Sequence, residues 1–167
     1  MQFTNHVNQR LHEEHCATLA LLQRLAQLIA RHGPGAAPQI SDGGVTQLLR
    51  DLCVGLETEL NRHFDFEEEE LFSYLAAEGN AGIGQHLTYE HGIIRPIGAA
   101  LVKLIGEART QGFDAARWAE FRKLGQELSG SLGPHAHKED MALLPMLDDM
   151  MDAEKEAQLY EKYVEQA

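Results

Sequence analysis

His63-Phe64-Asp65-Phe66-Glu67-Glu68-Glu69-Glu70-Leu71-Phe72-Ser73-Tyr74 sets an imidazole and a carboxylate four residues apart within an apolar stripe. Four helical residues turn a side chain through about 400°, about 40° past full register, so His63 and Glu67 share a face. The same spacing recurs at His135 and Glu139. Two single histidines, His15 and His91, fall on the inward stripes of two other predicted helices. Four helices that each aim nitrogen or carboxylate donors at a common interior describe a metal site in the core of a bundle.

The helices are read outward from that run. Between about Phe3 and Arg31 there is no Pro or Gly, and Leu11, His15, Thr18, Leu22, Leu25 and Ile29 repeat at steps of four and three, the seam of a bundle helix. His12 lies beside this seam, while Glu13 and Glu14 are expected to point elsewhere. Gly33-Pro34-Gly35-Ala36-Ala37-Pro38 ends the helix, and Ser41 or Asp42 can cap the next. The second helix is predicted from about Val45 to Ala77, with Leu49, Leu52, Leu56, Leu60, His63, Glu67, Leu71 and Tyr74 inward, and a break at Gly79-Asn80-Ala81-Gly82-Ile83-Gly84. A third carries Leu87, His91, Ile94, Gly98, Leu101 and Ile105, with a kink expected where Pro96 removes a backbone bond to Gly92. After a connection at Arg109–Asp114, a fourth turns Phe121, Leu124, Leu128, Ser131, His135, Glu139, Ala142 and Met146 inward. Gly133-Pro134 predicts a bend or a widened turn there. A short amphipathic helix closes the chain, packing through Leu159 and Tyr163. The expected fold is all-α: one domain over 1–167, an up-down-up-down four-helix bundle at about 3–150 and a C-terminal helix at about 153–165. Its two halves echo each other, each a lone-His helix followed by a His-x3-Glu helix.

A chain of 167 residues closes a hydrophobic core without a disulfide framework. Cys16 and Cys53 form no Cys-x-x-Cys pair, and reduced thiols in the cytoplasm are the expectation. Fourteen basic residues against 26 acidic ones leave a formal charge of −12, which repels phosphate backbones and anionic lipid and argues against nucleic acid or membrane as a partner. The start, Met1-Gln2-Phe3-Thr4-Asn5-His6, has no basic and apolar leader pattern, and no window reaches the length of a bilayer span.

The donor set narrows the chemistry. Four imidazoles and two carboxylates are too many for one tetrahedral zinc, and no Cys donor joins them. Mixed nitrogen and oxygen ligation suits a pair of iron ions. With Glu67 and Glu139 bridging and two histidines on each ion, octahedral positions remain for a solvent bridge and an external ligand. A lone inward histidine is ordinarily a hydrogen-bonded core residue. The joint pattern reverses that reading, because six buried ionisable groups without a cation would carry a large desolvation cost. His12, His86 and His137 lie off the stripe, Glu68 and Glu69 read as a solvated acidic face, and Glu70 lies near the stripe. Tyr74 is expected to pack and Arg95 to reach solvent.

Taken as a set, Leu11-His12-Glu13-Glu14-His15, the run from His63 to Phe72, Leu87-Thr88-Tyr89-Glu90-His91 and the run from His135 to Pro145 resemble the four ligand helices of hemerythrin-like, HHE cation-binding domains. The resemblance covers nearly the whole chain. It implies a non-haem, oxo- or hydroxo-bridged di-iron centre with His15, His63, Glu67, His91, His135 and Glu139 as metal ligands. Oxygen-carrying hemerythrins have a His-x3-His pair on the third helix, where this chain has Leu87 and Arg95 four residues either side of His91. Their last carboxylate is an Asp five residues after the histidine, and this chain offers both Glu139 and Asp140. Glu139 is favoured, since a five-residue step turns the side chain about 140° away on a straight helix. The paired His-x3-Glu pattern is similar to the hemerythrin-like domain of proteins that repair damaged iron–sulfur centres. Those also carry an N-terminal Cys-containing module that these residues do not include.

The function expected first is binding or sensing of O2, NO or peroxide at open metal positions. An apolar lining of Leu11, Leu60, Leu71, Leu87, Ile94 and Leu143 would limit water and proton access and favour reversible binding over turnover. The alternatives are a stress-response iron donor, a repair protein or an NO- or peroxide-processing enzyme, for which Tyr74, Glu70 or His12 would supply protons. A third is an interaction module with a structural metal.

Overall fold

The computed structural model describes residues 2–165, which are helical throughout with short connections and no strand among them. Helix α1 is His6–Arg31. Helix α2 runs through 43–77 as one rod: α-helical Gly43–Thr58, Phe64–Phe66 and Phe72–Ala77 alternate with π-helical turns at Glu59–His63 and Glu67–Leu71. Helix α3 is Ala81–Gln111. Helix α4 runs through 115–150 as Ala115–Lys138, a π turn at Glu139–Leu143, and Leu144–Met150. Helix α5 is Ala153–Glu165. No helix among the described residues is long and apolar enough to cross a membrane.

Pairs across the bundle fix its topology. His15–His63 and Arg24–Asp51 join α1 to α2, and Glu68–His91 joins α2 to α3. Glu90–His135 joins α3 to α4, and Asn8 reaches the Leu144 carbonyl to close α4 onto α1. With Arg95–Asp65, His86–Lys138 and His15–Asp140 beside the single pairs, one number rises as the other falls at every one of these interfaces, so neighbours are antiparallel and the bundle runs up-down-up-down. Asp42 caps α2 by accepting from the Gly44 N–H at 2.8 Å, and Asp114 caps α4 by accepting from the Arg117 N–H at 2.8 Å. The break after α2 is shorter than expected, since α3 already begins at Ala81. Gly79, with φ 84°, makes the turn, and the Asn80 N–H bonds back to the Leu75 carbonyl at 2.8 Å. At Gly98 a Cβ would lie 2.6 Å from Leu60 Cδ1, so the bare backbone is what lets α3 close on α2.

Both prolines are absorbed: α3 runs unbroken through Pro96, and α4 is α-helical through Pro134. The widened turn expected at Gly133-Pro134 lies instead at Glu139–Leu143. The reason is periodicity. His63, Glu67, Leu71 and Leu75 are three successive four-residue steps, as are His135, Glu139, Leu143 and Leu147, and all eight are buried. On a straight α-helix three such steps drift by about 120°, and a π turn takes the drift back. This corrects three inward residues of the sequence reading. Leu75 is buried where Tyr74 was expected, and Leu143 and Leu147 where Ala142 and Met146 were, with Ala142 exposed. Leu132 likewise takes the place given to Ser131. The seams of α1 and α3 are buried as read.

The core has two apolar halves. One holds Leu22, Leu25, Leu49, Leu52, Leu101, Trp118, Phe121 and Leu128 among others. The second holds Val7, Leu11, Phe66, Leu71, Leu75, Leu87, Leu143 and Leu147, together with Leu159 and Tyr163 of α5. Between them lies a polar layer.

Candidate metal centre

Six side chains make that layer. His15 on α1, His63 and Glu67 on α2, His91 on α3, and His135 and Glu139 on α4 are at most 1 % exposed. His15, His63, Glu67 and Glu139 form one group able to hold a cation, and Glu67, His91, His135 and Glu139 form a second. Within each group one donor atom per residue lies within 4.8 Å of every other. The two groups share both carboxylates. All six residues named from the sequence are thus brought together, and the π turns beginning at Glu67 and Glu139 fall at the shared acids.

Each imidazole is held from behind. His15 Nδ1 bonds Asp140 at 2.7 Å, His63 Nδ1 bonds Glu14 at 3.1 Å, His91 Nδ1 bonds Glu68 at 2.7 Å and His135 Nδ1 bonds Glu90 at 2.8 Å. A carboxylate on Nδ1 keeps that nitrogen protonated and leaves Nε2 facing the interior, the arrangement that orients a metal-binding histidine. The Nε2 atoms converge in pairs, His15 to His63 at 3.1 Å and His91 to His135 at 3.0 Å. The outer carboxylates are themselves held by cations and donors. Glu14 takes Arg62 and the Tyr163 hydroxyl, Glu68 takes Arg95, Glu90 takes Lys138, and Asp140 takes His12.

These outer residues correct several expectations. Glu14 does lie off the α1 seam, and the one-residue step that turns it about 100° from His15 sets it against α2, where it meets His63 and Arg62. Glu68 is not a solvated acid. Asp140 bonds His15 from outside, while Glu139 faces in among the other donors. Arg95 reaches the Leu60 carbonyl, Asp65 and Glu68, and not bulk solvent. The signal was available: Glu14-His15 and Glu90-His91 repeat, as do Glu67-Glu68 and Glu139-Asp140, so each half carries the same outer acids. Tyr74 and Glu70 serve elsewhere, Tyr74 donating to the Met150 carbonyl and Glu70 pairing with Lys162.

The electrostatics call for positive charge at the centre. Burial pulls His15 toward its neutral form, but Asp140 and Glu139 outweigh it and hold its pKa up at about 9. His91 is also raised to about 9, with burial again overcome, here by Glu139 and Glu67. His63 is raised well above the ordinary range against full burial, by Glu59 and Glu67. Burial works to raise Glu139, yet the three histidines around it hold it well below the usual carboxylate range. Neither oxygen of Glu67 or Glu139 makes a hydrogen bond, although imidazole nitrogens stand 2.9–3.8 Å from them. Four buried carboxylate oxygens without a hydrogen bond, facing four imidazoles, are what a pair of cations would satisfy.

The apolar lining named from the sequence is in place, Leu11, Leu71, Leu87 and Leu143 wholly buried on one side of the layer, Leu60 and Ile94 on the other. Among curated proteins none matches this chain. The family model of the hemerythrin HHE cation binding domain matches residues 6–147. That span takes in α1 to α3, most of α4 and every residue of the donor layer, and the chain belongs to the hemerythrin HHE cation-binding domain family.

Proposed function

We propose that the protein holds two iron ions, oxo- or hydroxo-bridged, and binds or senses a small ligand (O2, NO or peroxide) at the metal positions its own side chains leave open. His15 and His63 would serve one ion, His91 and His135 the other, with Glu67 and Glu139 bridging. When bound, such a pair supplies Lewis acidity and one-electron chemistry toward a diatomic or peroxide ligand. The protein's part is to fix the imidazoles through their Nδ1 carboxylates, neutralise the ions with two buried acids and keep bulk water out with the leucines above and below. The observation that carries this reading is the pair of donor groups sharing two carboxylates whose oxygens have no hydrogen bond.

Binding is favoured over turnover. Of the three candidate proton sources, Tyr74 and Glu70 are committed to Met150 and Lys162, while His12 meets Asp140 on the outer side of His15, away from its inward nitrogen. The test is metal content and the visible spectrum of protein purified without oxygen, then exposed separately to O2, NO and peroxide. The expected result is two irons per chain, as the two donor groups require, and a ligand-dependent visible band. A single ion per chain, or no spectral response to any of the three, would overturn the proposal.

A further inference from the structure

The two halves of the donor layer are built to one pattern, so the place where they differ is informative. Three residues after His15 is Thr18, and four before His63 is Glu59. The same offsets from His91 and His135 give Ile94 and Ser131. Ile94 is apolar and 1 % exposed, and the Ser131 hydroxyl is turned back onto the carbonyls of Glu127 and Leu128. Thr18 and Glu59 instead meet each other. Thr18 Oγ1 donates to Glu59 Oε2 at 2.9 Å, with both residues buried.

Glu59 is 3 % exposed, and its other oxygen, Oε1, is buried without a hydrogen-bond partner. An acid placed so deep in an apolar half costs stability unless something satisfies it. It begins the π turn that ends at His63. Yet Glu59 stands outside both groups able to hold a cation. Its open oxygen is thus left with no hydrogen bond and no place in either donor group, one turn from His63 and bonded through Oε2 to Thr18, one turn from His15.

Resting on the di-iron reading above, we infer that external ligand binds on the His15–His63 side and that Glu59 selects ligands which donate a hydrogen bond. The class is a protonated oxygen ligand such as hydrogen peroxide, in preference to an anion with no hydrogen to give. Thr18 fixes the orientation by occupying Oε2. The carboxylate accepts the ligand's O–H, and the partner half, where Ile94 and Leu132 are buried and apolar and the Ser131 hydroxyl is turned onto its own helix, offers no such acceptor.

The test uses iron-loaded full-length protein titrated with hydrogen peroxide and, separately, with azide, following the visible band. Glu59→Met keeps the length of the side chain and removes the acceptor. It is expected to weaken peroxide binding about tenfold, the usual scale for a hydrogen bond to a charged group, while azide binding is unchanged or tighter for loss of a nearby negative charge. Thr18→Val, which leaves Glu59 in place, should weaken peroxide less and in the same sense, and it carries the test should Glu59→Met fail to fold. Equal effects on the two ligands, or none on peroxide in either variant, would overturn the inference and leave the di-iron reading standing. If the unaltered iron-loaded protein binds neither ligand, both fall.

Discussion

At the level of single residues the donor layer divides into acids that face in and acids that hold the imidazoles from behind, and the two kinds should answer differently to removal. Glu67 and Glu139 belong to both donor groups, so Glu67→Ala or Glu139→Ala should cost both ions, whereas His15→Ala should cost mainly one. Asp140 bonds the far nitrogen of His15 and the side chain of His12. Asp140→Ala should therefore keep the stoichiometry and weaken metal affinity by about 10–100-fold. Metal analysis after dialysis against graded chelator separates these outcomes, and full loss of metal from Asp140→Ala would mean that it is a ligand. Protons compete for the same positions. Because His15 and His91 titrate at about 9 without metal, cations entering at neutral pH displace protons, so metal affinity should climb from pH 7 to about 9 and then level off. The stability of the metal-free protein should move the other way. A histidine with a raised pKa contributes fully below its unfolded value of about 6.5 and loses that contribution as pH rises through about 9. Unfolding and metal titrations across this range should therefore show opposite slopes.

At the level of the helix, the three π turns lie in the two His-x3-Glu rods, and none lies in the lone-His helices. They explain what the sequence concealed. Donor residues on α1 and α3 followed from the four-and-three rhythm alone, because those helices keep it from Leu11 to Ile29 and from Leu87 to Ile105. On α2 and α4 the rhythm changes to steps of four, a pattern that a straight helix cannot keep on one face. Reading it as straight put Tyr74, Ala142 and Met146 inward and hid Leu75 and Leu147, although Leu143 was named for the apolar lining. The outer acids escaped for a different reason: a residue one step from a ligand faces an adjacent helix, so the Glu14-His15 and Glu90-His91 repeat marks the acids while the packed bundle shows which histidine each one meets. The shift in register is testable. Leu147→Ala should cost about 2–5 kcal/mol in urea unfolding, as burial of a whole leucine implies, and Met146→Ala, half-buried beside it, should cost clearly less. Equal losses, or a larger one at Met146, would put α4 back on a straight register.

Across the whole molecule, the polar layer splits the core into two apolar halves that should depend on metal unequally. Without cations the layer holds four imidazoles and two inward carboxylates with only one another for company, a poor exchange for hydration. The half beyond Leu22 on α1 does not need that layer to pack, since Trp118 stacks on Phe121, Phe113 packs edge-on against both, and Trp118 donates to the Gly33 carbonyl at 2.9 Å. The other half does. Its α5 is attached through Leu159 and Tyr163, and the Tyr163 hydroxyl bonds the same Glu14 that holds His63. Loosening His63 loosens the anchor of α5. Chelation should therefore strip amide protection from α5 and from the ends of α1 and α4 around Asn8 and Leu144, while protection around Trp118 persists and its fluorescence stays that of the folded protein. Since Trp118 is the sole tryptophan of the chain, its emission reports on that half without interference. Uniform loss of protection, with Trp118 emission shifting as α5 opens, would mean that the halves fold as one unit and that the metal layer holds the whole bundle together.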